Sequence, residues 1–579
     1  MDLEIRQRRH TGRRRGRSLW VVCLLIAALA SYAAYELWLA PNREHVKPDF
    51  HGWDKPVFYQ GVLLEKPAQG TKESLLLPLE SIQKHLDPGI IYEASTESVI
   101  LTTDSSVLRL RTEQRTGQLN TKPFPLHFPV RNLNGDIYVP IAPLKLLYGL
   151  KIEEDTGTGA VIIKKAGDRI QHGYIGSSRS SKTATYPVRN APSRRAPIVA
   201  DAVHGQKAVL WGETDGWYEV QLPNGIQGYV PVKQVTKGTM ETVAEPVKNA
   251  AFVPWKPKNG LLNMTWEHVT RTTPDPSKFV PMPGLNVISP TWFELMDGQG
   301  TIRSRADLGY VKWANSKGIQ IWALFSNGFD PDWTSAALST YERRMAMVKQ
   351  LLTYAEVYGL QGINLDFENV YLKDKDLLTQ FVKELTPLLH ERKLVVSIDV
   401  TPVSSSEMWS LFYDRKQLSQ SVDYIMLMAY DEHWASSPEA GSVSSLPWAE
   451  RHVVHLLEKE GVPASKLVLG IPFYTRLWEE KQVNGETKVS SKALSMDKIN
   501  LLIKEKKLQP SFLSDIGQHY VEFEENGNVY KAWLEDAVSI KARVQLVHKY
   551  GLAGTASWRR GFETPDIWNV INRESAQKP

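Results

Sequence analysis

The sequence predicts a multidomain protein with four structured parts. These are an N-terminal transmembrane helix, an α+β repeat domain, a small all-β barrel, and a C-terminal (β/α)8 barrel with a small α+β insertion. Three observations predict this organisation. A chain of 579 residues is too long for one hydrophobic core. An apolar run as long as a bilayer is thick follows an arginine-rich N-terminus. From about residue 250 onward, eight strand-like runs alternate with helical patterns.

The N-terminal segment predicts a membrane anchor. Residues 1–17 contain seven arginines and two acids, which accounts for the whole formal net charge of +5. Leu19–Ala40 is an apolar run of about 22 residues, enough to cross a hydrocarbon core of about 30 Å. The positive-inside rule then places residues 1–18 in the cytoplasm, residues 19–40 in the membrane and the rest of the chain outside the cell. The alternative is secretion after signal cleavage near Ala30, because Ala28-Leu29-Ala30 is a small-x-small pattern.

The remaining composition excludes two classes of protein. The chain beyond the arginine cluster is close to neutral, so no nucleic-acid partner is expected. Cys23 is the only cysteine, so the domains outside the cell cannot have a disulfide framework and depend on their own cores.

Residues 55–168 contain a diverged internal repeat. Leu77–Ile82 leads to the β-branched run Ser98–Leu101, and about 62 residues later Val139–Leu144 leads to Ala160–Ile163. Each half is predicted to form a strand, a short helix and a β-hairpin. This segment resembles the copper amine oxidase N-terminal-like domain, a non-catalytic module of bacterial surface proteins. The segment has no histidine cluster that would indicate a metal site. A role as a plain spacer domain is as good an interpretation as a binding role.

Residues 183–238 contain short apolar strands separated by glycine-containing turns, which predicts a small barrel. Trp217 and the tripeptide Gly228-Tyr229-Val230 lie where bacterial SH3-type domains have equivalent residues. The segment therefore resembles that class, which is common on cell-wall enzymes.

Residues 250–579 are predicted to form the (β/α)8 barrel. The gap between strands seven and eight is too long for a normal connection. It contains the helix-like stretch 495–506 and a hairpin-like stretch, 518–533, around Asn526-Gly527, which predicts an inserted α+β lobe beside the cleft. The eight predicted strands are Leu261–Trp266, Leu285–Ser289, Ile319–Phe325, Gly362–Glu368, Leu394–Val400, Val422–Tyr430, Leu467–Phe473 and Gly554–Trp558.

The fourth predicted strand carries the strongest chemical signal. Alternation places Asn364, Asp366 and Glu368 on one face, with the two carboxylates roughly 7 Å apart along the backbone. Like charges at that distance disfavour double ionisation, so one carboxyl tends to keep a proton. A proton-holding acid beside an ionised partner suits glycosidic bond cleavage. For a D-x-E pattern alone, two solvated acids at a strand end are the more common explanation.

Three motifs together resemble family 18 glycoside hydrolases. Gly362–Glu368 is similar to the family signature D-G-x-D-x-D-x-E on strand four, Met428–Asp431 matches M-x-Y-D on strand six, and Trp558 ends strand eight where the family has a sugar-stacking tryptophan. The nearest resemblance is to spore cortex-lytic and germination-type N-acetylglucosaminidases. Two positions depart from the signature, because Gln361 and Asn364 replace its first two aspartates.

The resemblance implies a substrate-assisted retaining mechanism. Glu368 would act as general acid and then as base, Asp366 would orient the substrate's 2-acetamido group, and Tyr430 would donate a hydrogen bond to its carbonyl. Asn364 would bond to Asp366 and, being uncharged, leave Asp366 more readily ionised. Asp431 would bind a sugar hydroxyl or support Tyr430.

Aromatic residues near predicted strand ends are candidates for sugar contacts. Trp558 is the best candidate for the floor of the site, and Trp292, Trp322 and Trp533 are weaker ones for which simple packing is equally reasonable. No third ligand accompanies His452 and His455, so no metal is predicted, and no cofactor is expected.

The sequence therefore predicts a membrane-anchored extracellular hydrolase that cleaves β-1,4 bonds at N-acetylglucosamine in peptidoglycan or chitin-like glycans. Context alone favours peptidoglycan over chitin. The first alternative is a catalytically inactive glycan-binding protein of the cell wall, since two acids of the signature are absent. The second is a scaffold in which the barrel is merely structural.

Overall fold

The computed structural model describes residues 15–38, 40–176, 181, 183–245, 252–257 and 260–577. These residues form two compact units. The first takes its described residues from Met1–Gly89, Thr112–Arg115 and Leu126–Lys248, and the second from Ile90–Arg111, Thr116–Pro125 and Asn249–Pro579.

The elements up to residue 245 are mostly short strands. The helices are α1 Arg15–Trp38, α2 Leu79–His85 and α3 Ile141–Tyr148. The strands are β1 Val57–Tyr59, β2 Val62–Leu63, β3 Leu76–Pro78, β4 Ile91–Glu93, β5 Ser98–Thr103, β6 Ser106–Arg111, β7 Thr116–Leu119, β8 Lys122–Pro125, β9 Arg131–Leu133, β10 Asp136–Pro140, β11 Lys151–Glu154, β12 Val161–Lys164, β13 Arg169–Ile175, β14 Thr185–Arg189, β15 Ile198–Val203, β16 Lys207–Thr214, β17 Trp217–Gln221, β18 Gln227–Pro231 and β19 Val235–Thr242.

Longer helices and parallel strands form the rest of the chain. The helices are α4 Leu308–Ser316, α5 Pro331–Leu338, α6 Tyr341–Tyr358, α7 Lys375–Glu391, α8 Arg415–Ser421, α9 Leu446–Glu458, α10 Met496–Lys506, α11 Ala537–Tyr550 and α12 Asp566–Ser575. The strands are β20 Leu262–Glu267, β21 Val287–Pro290, β22 Phe293–Leu295, β23 Ile302–Ser304, β24 Gln320–Ser326, β25 Gly362–Asp366, β26 Val395–Val400, β27 Tyr424–Leu427, β28 Leu467–Pro472, β29 Tyr474–Val483, β30 Glu486–Ser495, β31 Ser511–Leu513, β32 Gln518–Glu525, β33 Asn528–Leu534 and β34 Gly554–Trp558.

Residues 19–38 of the predicted membrane segment lie in helix α1. Across the described ranges, no helix combines the length and the apolar character required to cross a membrane. The predicted span stays a prediction, and residues 1–14 of the predicted cytoplasmic segment lie outside the described residues.

The internal repeat has the predicted order in both halves. Strand β3 leads into α2 and the β5–β6 hairpin, and β10 leads into α3 and the β11–β12 hairpin. The equivalent strands β3 and β10 pair with each other antiparallel, with Leu77 opposite Val139. The two halves therefore share one sheet through their equivalent strands.

The two compact units divide the predicted 55–168 domain between them. The five-stranded antiparallel sheet β4–β8 belongs to the second unit, where β5 and β6 lie against helix α7. Ile100 and Val107 are completely buried in the same hydrophobic cluster as the barrel strands and helices. Alternation in the sequence identifies an apolar face on these hairpins but not the surface that it packs against.

The small barrel of the first unit is a seven-stranded antiparallel sheet in the order β15-β14-β18-β17-β16-β13-β19. Strand β13, Arg169–Ile175, lies before the predicted start at residue 183, and β19 continues past the predicted end at 238. The core of this barrel includes Val188, Ala202, Val220 and Val230.

The C-terminal barrel has the predicted eight parallel strands. Strands β20, β21, β24, β25, β26, β27, β28 and β34 pair in this order, and β34 pairs with β20 to close the ring. Alternating side chains fill the barrel interior, where Trp266 and Trp322 lie, and an outer core between strands and helices, where Ile363 and Leu365 lie. The short hairpin β22–β23 was not predicted.

The predicted lobe lies between β28 and α11. Its sheet has the order β30-β29-β33-β32-β31, and α10 packs on it through Ile499. Asn526 and Gly527 form the turn between β32 and β33, both with positive φ, as a two-residue hairpin requires. This insertion extends the barrel wall on the side of strands β27 and β28.

Candidate active site

Strand β25 carries the candidate acids at its carboxyl end. All five of its residues are buried, with Ile363 and Leu365 in the outer core and therefore Asn364 and Asp366 on the side of the barrel interior. Gly362 is required at the start of the strand, because a Cβ there would lie 2.7 Å from Cδ1 of Trp322 and 2.9 Å from the Val395 carbonyl oxygen. The predicted alternation along this strand is confirmed.

Glu368 lies just beyond the end of β25, and its backbone is fixed by neighbours from two other segments. The side chain of Asn327, which follows β24, accepts a hydrogen bond from the Glu368 amide at 3.1 Å and donates one to its carbonyl at 2.7 Å. The hydroxyl of the buried Tyr413 donates to the Phe367 carbonyl at 2.7 Å. The general-acid candidate is therefore held on a rigid backbone although it lies outside the strand.

Asp366 and Glu368 interact directly in a nearly dry environment. Burial raises the pKa of Asp366 to about 7, although its hydrogen bond with Glu368 acts in the opposite direction. Burial, the charge of Asp366 and then the charge of Asp431 raise the pKa of Glu368 well above its usual range. No positively charged residue in the described part of the chain lowers the pKa of either acid, so the pair keeps a proton near neutral pH.

One oxygen of Asp366 has no partner. Asp366 is 8% exposed, and its Oδ1 atom is buried without a hydrogen bond to any described residue. A buried carboxylate oxygen without a donor is costly, so such an oxygen at the end of a barrel strand is suited to receive an N–H group from a ligand.

Tyr430 and Trp558 both lie next to the ring of Trp266. The ring of Trp266, inside the barrel, is 6.4 Å from that of Tyr430 and 6.0 Å from that of Trp558. Burial raises the pKa of Tyr430 well above its usual range, and the charges of Asp399, Asp366 and Glu368 add to this effect. The hydroxyl therefore stays protonated and can donate a hydrogen bond. The structure brings Glu368, Asp366 and Tyr430 together and places Trp558 beside Trp266, and the catalytic and sugar-binding roles of these residues stay predictions.

Asp431 contacts the inserted lobe. Its Oδ1 atom accepts hydrogen bonds from the Tyr474 hydroxyl at 2.7 Å and from Arg476 at 2.9 Å, both on β29. These bonds link the loop after β27 to the lobe. The direct support of Tyr430 that was predicted for Asp431 is not among its contacts, and a role in binding a sugar hydroxyl stays a prediction.

Two of the predicted substrate contacts are wrong. Trp292 is completely buried in the outer core, where its Nε1 atom donates to Thr273, and Trp322 is completely buried inside the barrel, stacked on Tyr424. Trp322 donates to Gln320, the first residue of β24, which places it at the opposite end of the barrel from Glu368. A tryptophan near a predicted strand end gives no information about which end, or which face, its ring occupies.

The remaining predicted residues have different outcomes. Trp533 is half-buried in the lobe against Tyr520, and its contact with substrate stays a prediction. Gln361 lies at the start of β25, where its side chain bonds to Ile321 and Gly359, far along the strand from Glu368. Asn364 does not bond to Asp366 as predicted, because its amide donates to Asp399 at 2.8 Å.

Sequence reasoning missed several residues of the site. Asp399 is an acid near the end of the otherwise apolar strand β26 and Trp266 ends the first predicted strand, so both had a detectable signal, whereas Asn327 had none. Four aromatic side chains on the segments that follow β24, β26 and β27 are 42–53% exposed, which suits stacking on sugars. They are Phe329, Trp333, Trp409 and Trp434.

The barrel is closed, and a proton-sharing acid pair, a tyrosine and tryptophans lie at the carboxyl ends of its strands. This arrangement fits a glycoside hydrolase. The family model described as "Glycosyl hydrolases family 18" matches residues 271–563, about half of the chain. The chain belongs to this family and is a glycoside hydrolase. The models "Copper amine oxidase N-terminal domain" and "Bacterial dipeptidyl-peptidase Sh3 domain" match residues 59–163 and 188–235, so both of these resemblances are also confirmed.

The chain is also similar to individual proteins. The uncharacterized glycosylase YvbX of Bacillus subtilis is 27% identical over 303 residues, which are 50% of this chain and 84% of that protein. The cortical fragment-lytic enzyme of Bacillus anthracis is 25% identical over 256 residues, 44% of this chain and 58% of that enzyme. Among solved structures, the spore cortex-lytic enzyme SleL of Bacillus megaterium is similar with a TM-score of 0.48 at 18% identity, over 58% of this chain and 80% of that one.

Proposed function

We propose that this protein hydrolyses β-1,4 glycosidic bonds at N-acetylglucosamine residues of peptidoglycan by a substrate-assisted retaining mechanism. The observation that carries the proposal is the buried, unpartnered Oδ1 atom of Asp366 beside the proton-sharing Glu368. The N–H of a 2-acetamido group is a donor of the required kind, and a sugar without that group leaves the oxygen unsatisfied.

The residues then divide the reaction between them. Glu368 donates its proton to the glycosidic oxygen while the acetamido oxygen of the same sugar attacks the anomeric carbon. Asp366 accepts a hydrogen bond from the acetamido N–H and stabilises the positive charge that develops on that group. Tyr430 donates a hydrogen bond from its hydroxyl to the acetamido oxygen. Glu368, now ionised, takes a proton from the incoming water. The anomeric configuration is retained because two displacements occur at one carbon.

The choice of peptidoglycan is supported by context. Cortical fragment-lytic enzymes are among the relatives, and the SH3-type and copper amine oxidase N-terminal-like modules precede the barrel. We also propose that the enzyme acts outside the cytoplasmic membrane, held by its N-terminus, because an arginine-rich segment precedes a long apolar run. Protease treatment of intact cells that express the full chain tests the location, since cleavage of the barrel requires that it lie outside.

The direct test is hydrolysis of purified peptidoglycan by the full chain, with the products identified by mass spectrometry. We expect new reducing ends at N-acetylglucosamine, no cleavage of de-N-acetylated glycan, and loss of activity by a factor of about 10³ or more in Glu368→Gln. Cleavage of chitin oligomers but not of peptidoglycan would instead identify chitin as the substrate. Binding to the glycan without turnover would favour the inactive glycan-binding protein, whose motivating observation is the loss of two signature acids.

A further inference from the structure

The amide of Asn364, which replaces an acid of the family signature, is held in one orientation inside the barrel. Its Oδ1 atom accepts hydrogen bonds from Nε1 of Trp266 and from Oγ of Ser289, each at 3.0 Å. Its Nδ2 atom donates to Oδ1 of Asp399 at 2.8 Å. Two donors on the oxygen side determine which way the amide points, so its donor side must face an acceptor.

That acceptor is a buried acid on the neighbouring strand. Asp399 on β26 is 1% exposed, and its second oxygen accepts a hydrogen bond from Nε1 of Trp266 at 3.2 Å. Leu365 pairs with Ile398, and both lie in the outer core, so the next residues of the two strands, Asp366 and Asp399, are level and point into the barrel. Adjacent strands are about 4.8 Å apart, which places the two carboxyls in the same layer.

We propose that Asp399 is a positioning residue that supplies, from strand β26, the buried carboxylate that strand β25 lacks at Asn364. It acts through its charge and through the Asn364 amide rather than by touching the substrate. The inference rests on the proposed function, because it assigns Asp399 a part in keeping a proton on the Asp366–Glu368 pair.

The charges in this layer give the physical reason. Both oxygens of Asp399 accept N–H bonds, which favours its ionised form. Among the described residues, no positive charge is a cause of the pKa shifts of Asp399, Asp366 or Glu368. Burial and then the charge of Asp366 raise the pKa of Asp399 well above its usual range, and the hydrogen bonds from Asn364 and Trp266 act in the opposite direction. Three carboxyls this close do not all ionise, so negative charge at Asp399 favours retention of the proton on the Asp366–Glu368 pair.

The test is the pH dependence of kcat/KM for the full-length enzyme on a soluble chromogenic N-acetylglucosamine oligomer. In Asp399→Asn, removal of one negative charge should move the basic limb to lower pH by about one unit or more, with a fall in kcat. The double variant Asn364→Asp with Asp399→Asn returns the carboxylate to strand β25, and its basic limb should move back toward that of the wild type. The single variant Asn364→Asp adds a charge and should move the limb to higher pH.

Asp423→Asn is the matched control. Asp423 is also a buried acid of the barrel, but it lies before β27, at the opposite end from Glu368, where it accepts bonds from His390 and the Val396 amide. The basic limb of the kcat/KM profile of Asp423→Asn should coincide with that of the wild type. If Asp399→Asn does not fold, the basic limb of the double variant should lie at lower pH than that of Asn364→Asp, because these two proteins differ only in the carboxylate of Asp399.

An unchanged limb in both single variants would overturn the inference, as would a double variant with the same limb as Asp399→Asn. These outcomes are distinct from failure of the proposed function, in which the wild type itself would not cleave N-acetylglucosamine polymers. A wild type that is active, an inactive Glu368→Gln and an unmoved limb would reject only the role of Asp399.

Discussion

Burial of Asp366 and Glu368 gives the active site its proton and also makes it a source of instability. Burial raises the pKa of Asp366 to about 7, whereas an aspartate in an unfolded chain has a pKa of about 4. Between these values the folded state binds more protons than the unfolded state, so stability falls as pH rises through this window. Stability should therefore fall between about pH 4 and pH 7, and activity should fall where Glu368 loses its proton, because burial opposes the charged form of both acids.

The variant Asp366→Asn tests this link. Its side chain cannot ionise, so at about pH 8 it should be more stable than the wild type by a few kcal/mol, because each pKa unit is worth about 1.4 kcal/mol. At about pH 4 the difference should nearly vanish, while activity is lost at both values. Thermal unfolding at the two pH values measures this. Asp431→Asn, which removes the partner of Arg476, should gain no stability at pH 8, and an equal gain there would contradict the explanation.

Tyr430 should contribute to the rate rather than to binding. Tyr430→Phe removes a donor to a charge that develops in the transition state, so kcat should fall about 10²-fold with little change in KM. Steady-state kinetics measure the two constants separately. Tyr424→Phe is the control, because Tyr424 begins β27, whereas Tyr430 follows the end of that strand, and the Tyr424 hydroxyl donates a hydrogen bond to the Trp255 carbonyl at 2.9 Å. Equal losses in both variants would argue against a catalytic hydroxyl.

At the scale of elements, one buried arginine joins the sheet β4–β8 to the barrel helices. Arg344 on α6 forms two hydrogen bonds of 2.8 Å with Glu384 on α7 and an ion pair of 3.3 Å with Glu93 on β4. Arg344 and Glu384 are almost completely buried. Removing one member of such a cluster leaves a buried charge without its partner.

Arg344→Met should therefore destabilise the second unit by about 3–5 kcal/mol, measured by chemical denaturation. Arg111→Ala is the matched control, because Arg111 forms an ion pair with Glu342 of α6 while both side chains are about 40% exposed. Surface pairs contribute about 0–1 kcal/mol, so this variant should be nearly neutral. Similar losses in the two variants would show that burial is not what gives the cluster its effect.

At the scale of the whole molecule, the order of the chain differs from the order of the compact units. Residues 90–111 and 116–125 belong to the unit of the barrel, although they lie within a segment that the sequence assigns to an N-terminal domain. We expect calorimetry of the full chain to show at least two unfolding transitions, since each unit has its own core.

Two substitutions distinguish these transitions. Ile100→Ala, in the sheet β4–β8, removes a completely buried side chain from the barrel's outer core. It should lower the free energy of unfolding of the second unit by about 2–5 kcal/mol and therefore lower the temperature of its transition. Leu144→Ala, an equally buried leucine of α3 in the first unit, should lower the other transition. If both variants lower the same transition, the sheet does not unfold with the barrel.

The sequence by itself determined all eight barrel strands, the inserted lobe and the group Glu368, Asp366, Tyr430 and Trp558. Strand periodicity is a local property, and a signature acid at a strand end faces the same way wherever the barrel lies. Only the tertiary structure decided that Trp292 and Trp322 are buried packing residues, that Asn364 donates to Asp399, and that the β4–β8 sheet belongs with the barrel. These facts depend on which surfaces meet, and pairings between residues distant in sequence are set by the packing of whole elements rather than by the local pattern of any one of them.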